Sequence, residues 1–498
     1  MQADTGPVQH SPCGATYCAA AVRREPSLAA KACRLLFVPE ARLADPYLHY
    51  GNRFSYRKSS CIMQVKVQPK SHRRTAVGRE SRVAMLWFLL FCVGSALPAA
   101  PATPLQAQER ALSSQRGREF AEGTIRPFTA HVADGVLIDL KSRLARTKWT
   151  DQLPGTTWEY GAYIKKVREL ANYWQHGYDW REAEARLNRF EQFTTEIDGQ
   201  KIYFIHQRSP RPDAIPLLLI HGWPGSIVEF LGLIDPLTQP RNGNFPAFDV
   251  IIPSLPGFGF SGPTTSRGWG PQRMAKALVV LMNRLGYTEY GIQGGDWGSE
   301  IARDMAYQAP THVIGLHLNF LPVRPPNEDA VMLMSDLERR RYSYFEREES
   351  SFYNLQASEP QTLAYALTDS PVGWLAWMIG KFQLLTDNSG DFLTAVDRET
   401  FLTDVTLYWV TDTVGSSMRI YRENRLTGSE TATMPRLETP VAYADFAKEV
   451  ISPPFRWIQK TYNVVQMTEI PRGGHFAALE QPDLLLDDIR KFFVKLKK

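Results

Sequence analysis

Asp296 lies at the centre of the stretch GGDWGS, between Gly294 and Gly298. Glycines two residues before and two residues after a reactive side chain are typical of the nucleophile elbow, a sharp turn from a strand into a helix. A carboxylate in this position would attack an sp³ carbon and form an alkyl ester, which water can hydrolyse, whereas a serine would form an ether. The stretch therefore predicts a hydrolase of strained or activated alkyl carbons, and it excludes a serine esterase at this elbow.

Two further candidate catalytic side chains follow later strands. His475 lies in PRGGHF after the last predicted strand, and Glu449 follows the strand that contains VAYA. The chain order of nucleophile, acid and histidine is that of the catalytic triad in α/β-hydrolases. His475 would take a proton from the water that hydrolyses the ester, and Glu449 would orient its imidazole. Asp445 follows the same strand and remains the alternative acid.

The stretch HGWPGS, residues 221–226, leaves the first strand of the predicted parallel sheet. In this architecture such a loop supplies one backbone N–H group to an oxyanion hole, and the residue after the nucleophile supplies the other. The candidate donors are therefore the backbone amides of Trp223 and Trp297. Each feature alone has a structural explanation, such as a helix cap or a tight turn, but their joint order along the chain favours catalysis.

Short apolar strands that alternate with helical patterns position these groups. The strands show no alternation of polar and apolar residues, which is typical of parallel strands covered by helices on both faces. The fold class is therefore α/β, with an α/β-hydrolase core over residues 201–320 and 430–498. The predicted core strands are residues 216–220, 248–253, 290–294, 313–319, 440–444 and 463–470.

Residues 321–429 interrupt this strand pattern with a helical stretch that is rich in tryptophan and tyrosine. An insertion of this size after a core strand predicts a helical cap over the carboxyl ends of the strands, where open α/β sheets bind their ligands. The aromatic and aliphatic side chains of this cap favour an apolar substrate.

Residues 123–200 precede the core and contain two helical patterns. In the first pattern, Val136, Leu137, Leu140 and Leu144 are spaced to share one face of a helix.

The second helical pattern begins with Thr156-x-x-Glu159, which matches the sequence of a capping box and predicts a helix start there. After this helix, Asp198-Gly199 predicts the turn of a β-hairpin that leads into the core.

The first 122 residues do not have the pattern of a folded enzyme. Residues 1–62 show no helical or strand periodicity, and we expect them to be an upstream extension before a true start at Met63. Residues 63–107 combine a basic stretch, a short apolar run and small residues, which favours a signal peptide over a membrane anchor. Residues 108–122 are predicted to be a linker. A cleaved signal predicts a secreted or periplasmic enzyme, and a retained segment predicts a membrane-anchored one.

The composition, with 44% hydrophobic and 22% charged residues, is that of a globular protein. The net charge of +5 is not arranged as a basic stripe with interleaved aromatic residues, so we expect no nucleic-acid binding. Cysteine is confined to the N-terminal part, which excludes a disulfide framework or a thiol nucleophile from the main domain. The five cysteines are Cys13, Cys18, Cys33, Cys61 and Cys92. The histidines are scattered, and we expect no metal site and no cofactor.

A second glycine motif, GFGFSG at residues 257–262, matches the G-x-G-x-x-G pattern of dinucleotide-binding proteins. That pattern binds a pyrophosphate only when it opens a helix and when an acidic residue follows about twenty positions later. Pro263 follows the motif directly, and no such acidic residue is present. The motif therefore predicts a tight loop at the border of the active site.

Six stretches lie in a consistent order along the chain: WEYGAYIKKVRELANYWQHGYDWREAEARLNRFEQF, HGWPGS, GGDWGS, DSPVGWLAWMIGKF, SSMRIYREN and PRGGHFAALEQPDLL. Together they resemble the microsomal-type epoxide hydrolase family, over roughly residues 122–495. The resemblance implies an α/β-hydrolase fold with a helical cap, and an N-terminal meander over residues 123–200 that wraps across the cap. It also implies hydrolysis of a small apolar epoxide to a vicinal diol.

The same resemblance implies a role for five side chains. Asp296 would be the nucleophile, His475 the base and Glu449 the acid of the charge relay. Tyr421 in RIYREN and Tyr353 in SSFYNLQ would hold the epoxide oxygen through their hydroxyl groups.

Two alternatives remain open. A haloalkane dehalogenase uses the same Asp-Trp elbow, but it binds the leaving halide with indole N–H groups rather than phenols. An inactive hydrolase fold that serves as a binding module is the second alternative. The Pro-Gly after Trp223 and the paired cap tyrosines favour the epoxide hydrolase. The expected partners are a small apolar epoxide and water, with membrane association if residues 63–107 are retained.

Overall fold

The computed structural model describes residues 123–241, 243–344, 350–428 and 435–496. The predicted upstream extension, apolar segment and linker lie outside these described residues. No helix within the described ranges is long and apolar enough to cross a membrane.

A nine-stranded sheet forms the centre of the described part of the chain, with the order β1-β2-β3-β5-β4-β6-β7-β8-β9. Its strands are β1 (Arg126–Phe128), β2 (Gln192–Ile197), β3 (Gln200–Gln207), β4 (Ile215–Ile220), β5 (Phe248–Pro253), β6 (Tyr290–Gly294), β7 (Val313–Leu318), β8 (Leu437–Phe446) and β9 (Tyr462–Ile470). The strands β1, β2, β3 and β5 pair antiparallel, and the pairs from β5 through β4 to β9 are parallel. The six predicted core strands and the α/β-hydrolase fold class are confirmed.

The central strands are buried on both faces. In β4, Leu217, Leu218, Leu219 and Ile220 have no accessible surface. A strand covered on both sides needs apolar residues at consecutive positions, which is why its sequence shows no alternation. The carboxyl ends of these parallel strands consequently meet at one edge of the sheet.

Helices surround the sheet and fill the segment between β7 and β8. They are α1 (Asp134–Ala145), α2 (Ile164–His176), α3 (Trp180–Leu187), α4 (Leu231–Thr238), α5 (Pro271–Arg284), α6 (Trp297–Gln308), α7 (Glu328–Met332), α8 (Asp336–Tyr344), α9 (Ser350–Ser358), α10 (Pro360–Asp369), α11 (Pro371–Leu385), α12 (Arg398–Val410), α13 (Val414–Ser417), α14 (Arg419–Thr427), α15 (Phe455–Thr461), α16 (Ala477–Glu480) and α17 (Pro482–Leu496). Helices α7 to α14 lie within the stretch predicted as the cap.

The N-terminal segment contacts the cap helix α12 through buried hydrogen bonds. The indole Nε1 of Trp174 donates to the hydroxyl of Thr406 at 2.8 Å, and the hydroxyl of Tyr178 bonds that of Thr403 at 3.1 Å. These polar groups are buried, so an unpaired partner would carry a desolvation penalty of about 1–3 kcal/mol. The pairs therefore fix how α2 lies against the cap.

The predicted capping box at Thr156 is wrong. The helix begins eight residues later, at Ile164, and the carboxylate of Glu159 accepts hydrogen bonds from Thr157 within an irregular segment. Gly161 has a φ of +100° between the two positions. A residue in that conformation interrupts a right-handed helix, so a helix starting at Thr156 could not continue past it.

The predicted apolar face of the first helix is correct only in part. Leu140 and Leu144 are buried in α1 and Leu137 packs against the core, but Val136 is 39% exposed. Leu137, Leu140 and Leu144 are spaced i, i+3 and i+7 and form the buried face, and Val136 lies at the edge of that face. The turn predicted at Asp198-Gly199 is confirmed, because it joins β2 to β3 and both residues have positive φ.

Candidate active site

The elbow after β6 carries Asp296 in a conformation that few side chains adopt. Its φ is +50° and its ψ is −131°, and α6 begins at the next residue, Trp297. The turn is tight enough that a Cβ atom at Gly298 would lie 2.0 Å from the carbonyl oxygen of Ile220 on β4. Strained backbone of this kind is found where the surrounding structure fixes a functional side chain. The glycine spacing in the sequence reflects this packing.

His475 lies between two carboxylates. Its Nε2 is 3.3 Å from Oδ2 of Asp296, and its Nδ1 is 2.8 Å from Oε1 of Glu449. Glu449 is buried, and the same Oε1 also accepts a hydrogen bond from the backbone of Val450 at 2.7 Å. The three side chains come from the ends of β6, β8 and β9, and the fold brings them together as the chain order suggested.

Asp445 makes its contacts elsewhere. Its carboxylate forms two hydrogen bonds with the guanidinium of Arg341 at 2.8 and 2.9 Å, and it accepts from the hydroxyl groups of Tyr443 and Ser452 at 3.1 Å. It therefore lies at the end of β8 in an ion pair with the cap helix α8. The histidine contacts Glu449 instead.

The electrostatic environment of His475 favours the imidazolium. Burial lowers the pKa of His475, but the charges of Glu449 and Asp296 and the hydrogen bonds to both carboxylates outweigh burial and raise the pKa well above its usual value. Conversion of Asp296 into an ester would remove one of the two negative charges. The pKa of His475 would then fall, which favours the neutral imidazole that a general base must be in order to accept a proton.

The loop after β4 supplies a backbone hydrogen-bond donor to Asp296. The N–H of Trp223 donates to Oδ1 of Asp296 at 2.7 Å. The buried His221 holds this loop, since its Nδ1 lies 2.9 Å from the carbonyl oxygen of Gly222 and its Nε2 accepts from Leu255. Burial lowers the pKa of His221 to about 4, so the ring is neutral and can accept that hydrogen bond. Trp297 begins α6, and its N–H is one of the helix amides without an intrahelical partner.

The two cap tyrosines lie together above the elbow. The rings of Tyr353 and Tyr421 are 5.2 Å apart, and both contact the indole of Trp297, at 6.2 and 4.9 Å respectively. Tyr421 also meets the ring of Trp223 edge to face at 5.7 Å. Helices α9 and α14, which are separated by sixty residues of sequence, thus place two phenols beside both predicted oxyanion-hole residues.

Glu480 is a residue whose role the sequence did not indicate. Its carboxylate accepts hydrogen bonds from the backbone N–H groups of Asp387, Gly474 and Phe476, on either side of the histidine. Burial raises the pKa of Glu480 to about 7, against the effect of these hydrogen bonds. The carboxyl ties the histidine loop to the end of α11. The sequence could have indicated this role through the position of Glu480 shortly after PRGGHF. However, an acidic residue in a short helix has no distinctive sequence pattern.

Within the described residues, no group of three or more histidine, cysteine, aspartate and glutamate side chains could hold a metal ion. The side chains that the fold brings together at this site carry a carboxylate, an imidazole, a second carboxylate and two phenols. Together with the sheet and the elbow they define an α/β-hydrolase whose nucleophile position carries a carboxylate.

Comparison with known proteins gives the family within this class. Residues 125–230 match the model of the epoxide hydrolase N terminus, and residues 215–369 match that of the alpha/beta hydrolase fold. Epoxide hydrolase 1 of Sus scrofa is 35% identical, over 75% of this chain and 90% of the pig protein. The chain belongs to the epoxide hydrolase family, of the microsomal type, and is an epoxide hydrolase.

Solved structures agree with this family. The epoxide hydrolase of Aspergillus niger is 32% identical, with a TM-score of 0.67, and the match covers 75% of this chain and 97% of that chain. The juvenile hormone epoxide hydrolase of Bombyx mori is 29% identical, with a TM-score of 0.68, over 77% of this chain and 97% of that one.

Proposed function

We propose that this enzyme opens apolar epoxides through a covalent ester at Asp296 and releases vicinal diols. The observation that carries this proposal is the position of His475, within hydrogen-bonding distance of Glu449 and 3.3 Å from the nucleophilic carboxylate. A carboxylate and an imidazole in contact can serve as nucleophile and base in two successive steps.

In the first step, Oδ2 of Asp296 attacks one epoxide carbon, and the bond between that carbon and the epoxide oxygen breaks. The oxygen leaves as an alkoxide, which is a poor leaving group and needs a proton. The hydroxyl groups of Tyr353 and Tyr421 are the donors, and one of them protonates the alkoxide. The product of this step is a hydroxyalkyl ester of Asp296 and a tyrosinate.

In the second step, water attacks the carbonyl carbon of this ester while His475 takes a proton from the water. The negative charge develops on the oxygen that the backbone of Trp223 already binds. An oxyanion-hole donor of this kind contributes about 3 kcal/mol to the transition state, and Trp297 supplies the second amide. The tetrahedral intermediate collapses as the bond between the carbonyl carbon and Oδ2 breaks, and the departing alkoxide takes the proton from the imidazolium of His475 to complete the diol. The proton of the new carboxyl group passes to the tyrosinate, so Asp296 recovers its carboxylate with one oxygen from water.

The surroundings favour an aryl or alkyl epoxide. The ring of Phe352 stacks on that of Trp223 at 5.5 Å, and both flank Tyr421. Aromatic walls of this kind bind apolar groups mainly by removing their surface from water. We therefore assign a styrene-type epoxide as the test substrate, and removal of such alkylating epoxides as the purpose of the reaction.

The test uses the chain from residue 108 with styrene oxide in ¹⁸O water, without added cofactor. We expect diol formation, and we expect label in the carboxylate of Asp296 after repeated turnovers, read by mass spectrometry of the peptide. Asp296→Ala should form no diol. Full activity in this variant, or an unlabelled carboxylate after many turnovers, would exclude the ester mechanism.

A halide-releasing activity is tested in the same way. The buried indole Nε1 atoms of Trp223 and Trp297 have no hydrogen-bond partner among the described residues, and dehalogenases stabilise halides with such groups. Chloride release from a chloroalkane, with no diol formed from an epoxide, would favour that function over the proposed one.

We also propose that residues 63–107 direct the enzyme to a membrane or through it. The support is their order of basic, apolar and small residues. Expression of the full chain, cell fractionation and N-terminal sequencing of the mature protein test this. A new N-terminus near residue 107 indicates a cleaved signal, and an intact segment in the membrane fraction indicates an anchor. An intact segment in the soluble fraction would contradict the proposal.

A further inference from the structure

A small cavity lies beside the catalytic pair. Asp296 and His475 line it, together with Glu229, Gln293 and Asn319. The space open to the centre of a water molecule is about 20 Å³, which is room for about one water. A cavity with several polar groups around a space of this size is suited to a single bound water.

Glu229 reaches this cavity from the loop that carries the oxyanion-hole residue Trp223. It lies in the 3₁₀ turn Ile227–Phe230, which follows HGWPGS directly. Its carboxyl folds back over that loop, since a Cβ atom at Gly225 would lie 1.5 Å from its Oε1. The glycine thus leaves the space that the carboxyl occupies, and Glu229 is held next to the catalytic pair.

Gln293 reaches the same cavity from the end of β6, three residues before the nucleophile. Its side chain is buried, and its Nε2 donates to Oδ1 of Asn319 at 2.8 Å. Its Oε1 has no hydrogen-bond partner among the described residues. A buried acceptor without a partner is rare in folded proteins and points to a bound group such as water.

We propose that this cavity holds the water that hydrolyses the Asp296 ester, and that Glu229 and Gln293 are its positioning residues. The inference rests on the proposed ester mechanism and assigns the site of its second substrate. A water in the cavity lies beside Nε2 of His475 and the carbonyl carbon of Asp296 at once. One of its protons goes to the imidazole, the other is held by Oε1 of Gln293 or by the carboxyl of Glu229, and a lone pair attacks the ester.

The surroundings of Glu229 favour its protonated form, which fits this role. Glu229 keeps some accessible surface, but that surface faces a small cavity. Burial therefore raises the pKa of Glu229 well above its usual value. The nearby charge of Asp404 raises this pKa further, while the charge of His475 lowers it. A protonated carboxyl can accept a hydrogen bond from water through its carbonyl oxygen. It adds no negative charge beside the oxyanion that forms during ester hydrolysis.

The test separates the two chemical steps by single-turnover kinetics with styrene oxide. The variants are Glu229→Met, Gln293→Met and Glu229→Gln, with Glu196→Met on β2, outside the cavity lining, as the matched control. We expect either cavity methionine to slow ester hydrolysis by about 10- to 100-fold, the loss typical of a misplaced reactant. Ester formation should stay within about twofold, so that the ester accumulates.

Glu229→Gln should retain hydrolysis within about threefold of the parent, because the amide oxygen accepts the same hydrogen bond as a protonated carboxyl. A merely structural role predicts instead that both steps fall together with thermal stability. If Glu229→Met does not fold, Gln293→Met carries the same test.

The inference is overturned if both methionine variants hydrolyse the ester at the parent rate, or if formation and hydrolysis slow equally. It is also overturned if Glu229→Gln is as slow as Glu229→Met. Failure of the proposed function is distinguishable, because in that case the parent protein itself forms no ester.

Discussion

Glu449→Gln is expected to slow hydrolysis of the Asp296 ester by about a thousandfold and to leave ester formation nearly unchanged. In the ester the charge of Asp296 is gone, so Glu449 is the carboxylate that stabilises the imidazolium formed during hydrolysis. Oε1 of Glu449 accepts from both His475 and Val450, while its Oε2 is buried without a partner among the described residues. A glutamine can keep the oxygen in place, so the substitution removes mainly the charge.

The magnitude follows from this contact. With Nδ1 of His475 2.8 Å from Oε1 of Glu449, the two charge centres are about 4 Å apart, and at an effective dielectric constant of about 20 they interact by about 4 kcal/mol. Loss of that interaction in the transition state corresponds to about a thousandfold in rate.

The assay is rapid mixing of enzyme in excess with styrene oxide, followed by acid quench and mass spectrometry of the intact chain. The parent should show a transient increase in mass equal to that of the substrate, and Glu449→Gln should show an adduct that persists. Asp445→Asn is the matched control. We expect it to lower the unfolding temperature, because Arg341 loses its ionic partner, and to leave the hydrolysis rate within about twofold.

Two results would refute this reasoning. If Glu449→Gln hydrolyses the ester at the parent rate, the buried carboxylate does not stabilise the imidazolium. If Asp445→Asn gives the persistent adduct and Glu449→Gln does not, the acid of the triad is Asp445.

Three further perturbations test the site and its support. Gly298→Ala should lower both thermal stability and diol formation, because its Cβ would lie 2.0 Å from the carbonyl oxygen of Ile220. The control Gly232→Ala, whose Cβ would meet nothing within 4 Å, should lower neither. Equal behaviour of the two variants would contradict the packing argument. Tyr421→Phe should slow ester formation by about 100-fold with a smaller effect on hydrolysis, and equal slowing of both steps in single-turnover kinetics would remove its role as donor. Burial raises the pKa of Asp404 to about 8, so this carboxyl keeps its proton when folded and loses it when unfolded between about pH 4 and pH 8. Stability from this group therefore falls as the pH rises through that window, and the unfolding temperature of Asp404→Asn should exceed that of the parent more at pH 8 than at pH 5; a constant difference would show that Asp404 does not titrate there.

Much of the fold was predictable because its signals are local. The elbow is recognisable from glycines two residues either side of Asp296, since the tight turn tolerates no Cβ at Gly298. The core strands are recognisable because burial on both faces requires consecutive apolar residues. The start of α2 was not predictable from Thr156 and Glu159. The positive φ of Gly161 decides where the helix can begin, and the sequence does not show this φ because glycine adopts positive and negative φ about equally readily.

The sequence by itself predicted the nucleophile, its elbow and the order of the triad, and it indicated the family of the chain. Only the tertiary structure decided which acid contacts His475. Asp445 lies at the end of β8 and Glu449 follows four residues later, and the choice depends on Arg341, which reaches Asp445 from the cap more than a hundred positions away. The cavity beside Asp296 and His475 could likewise not be predicted from the sequence, because Glu229 lies outside every motif recognised there. Contacts between distant segments depend on how helices and strands pack, and no local pattern encodes them.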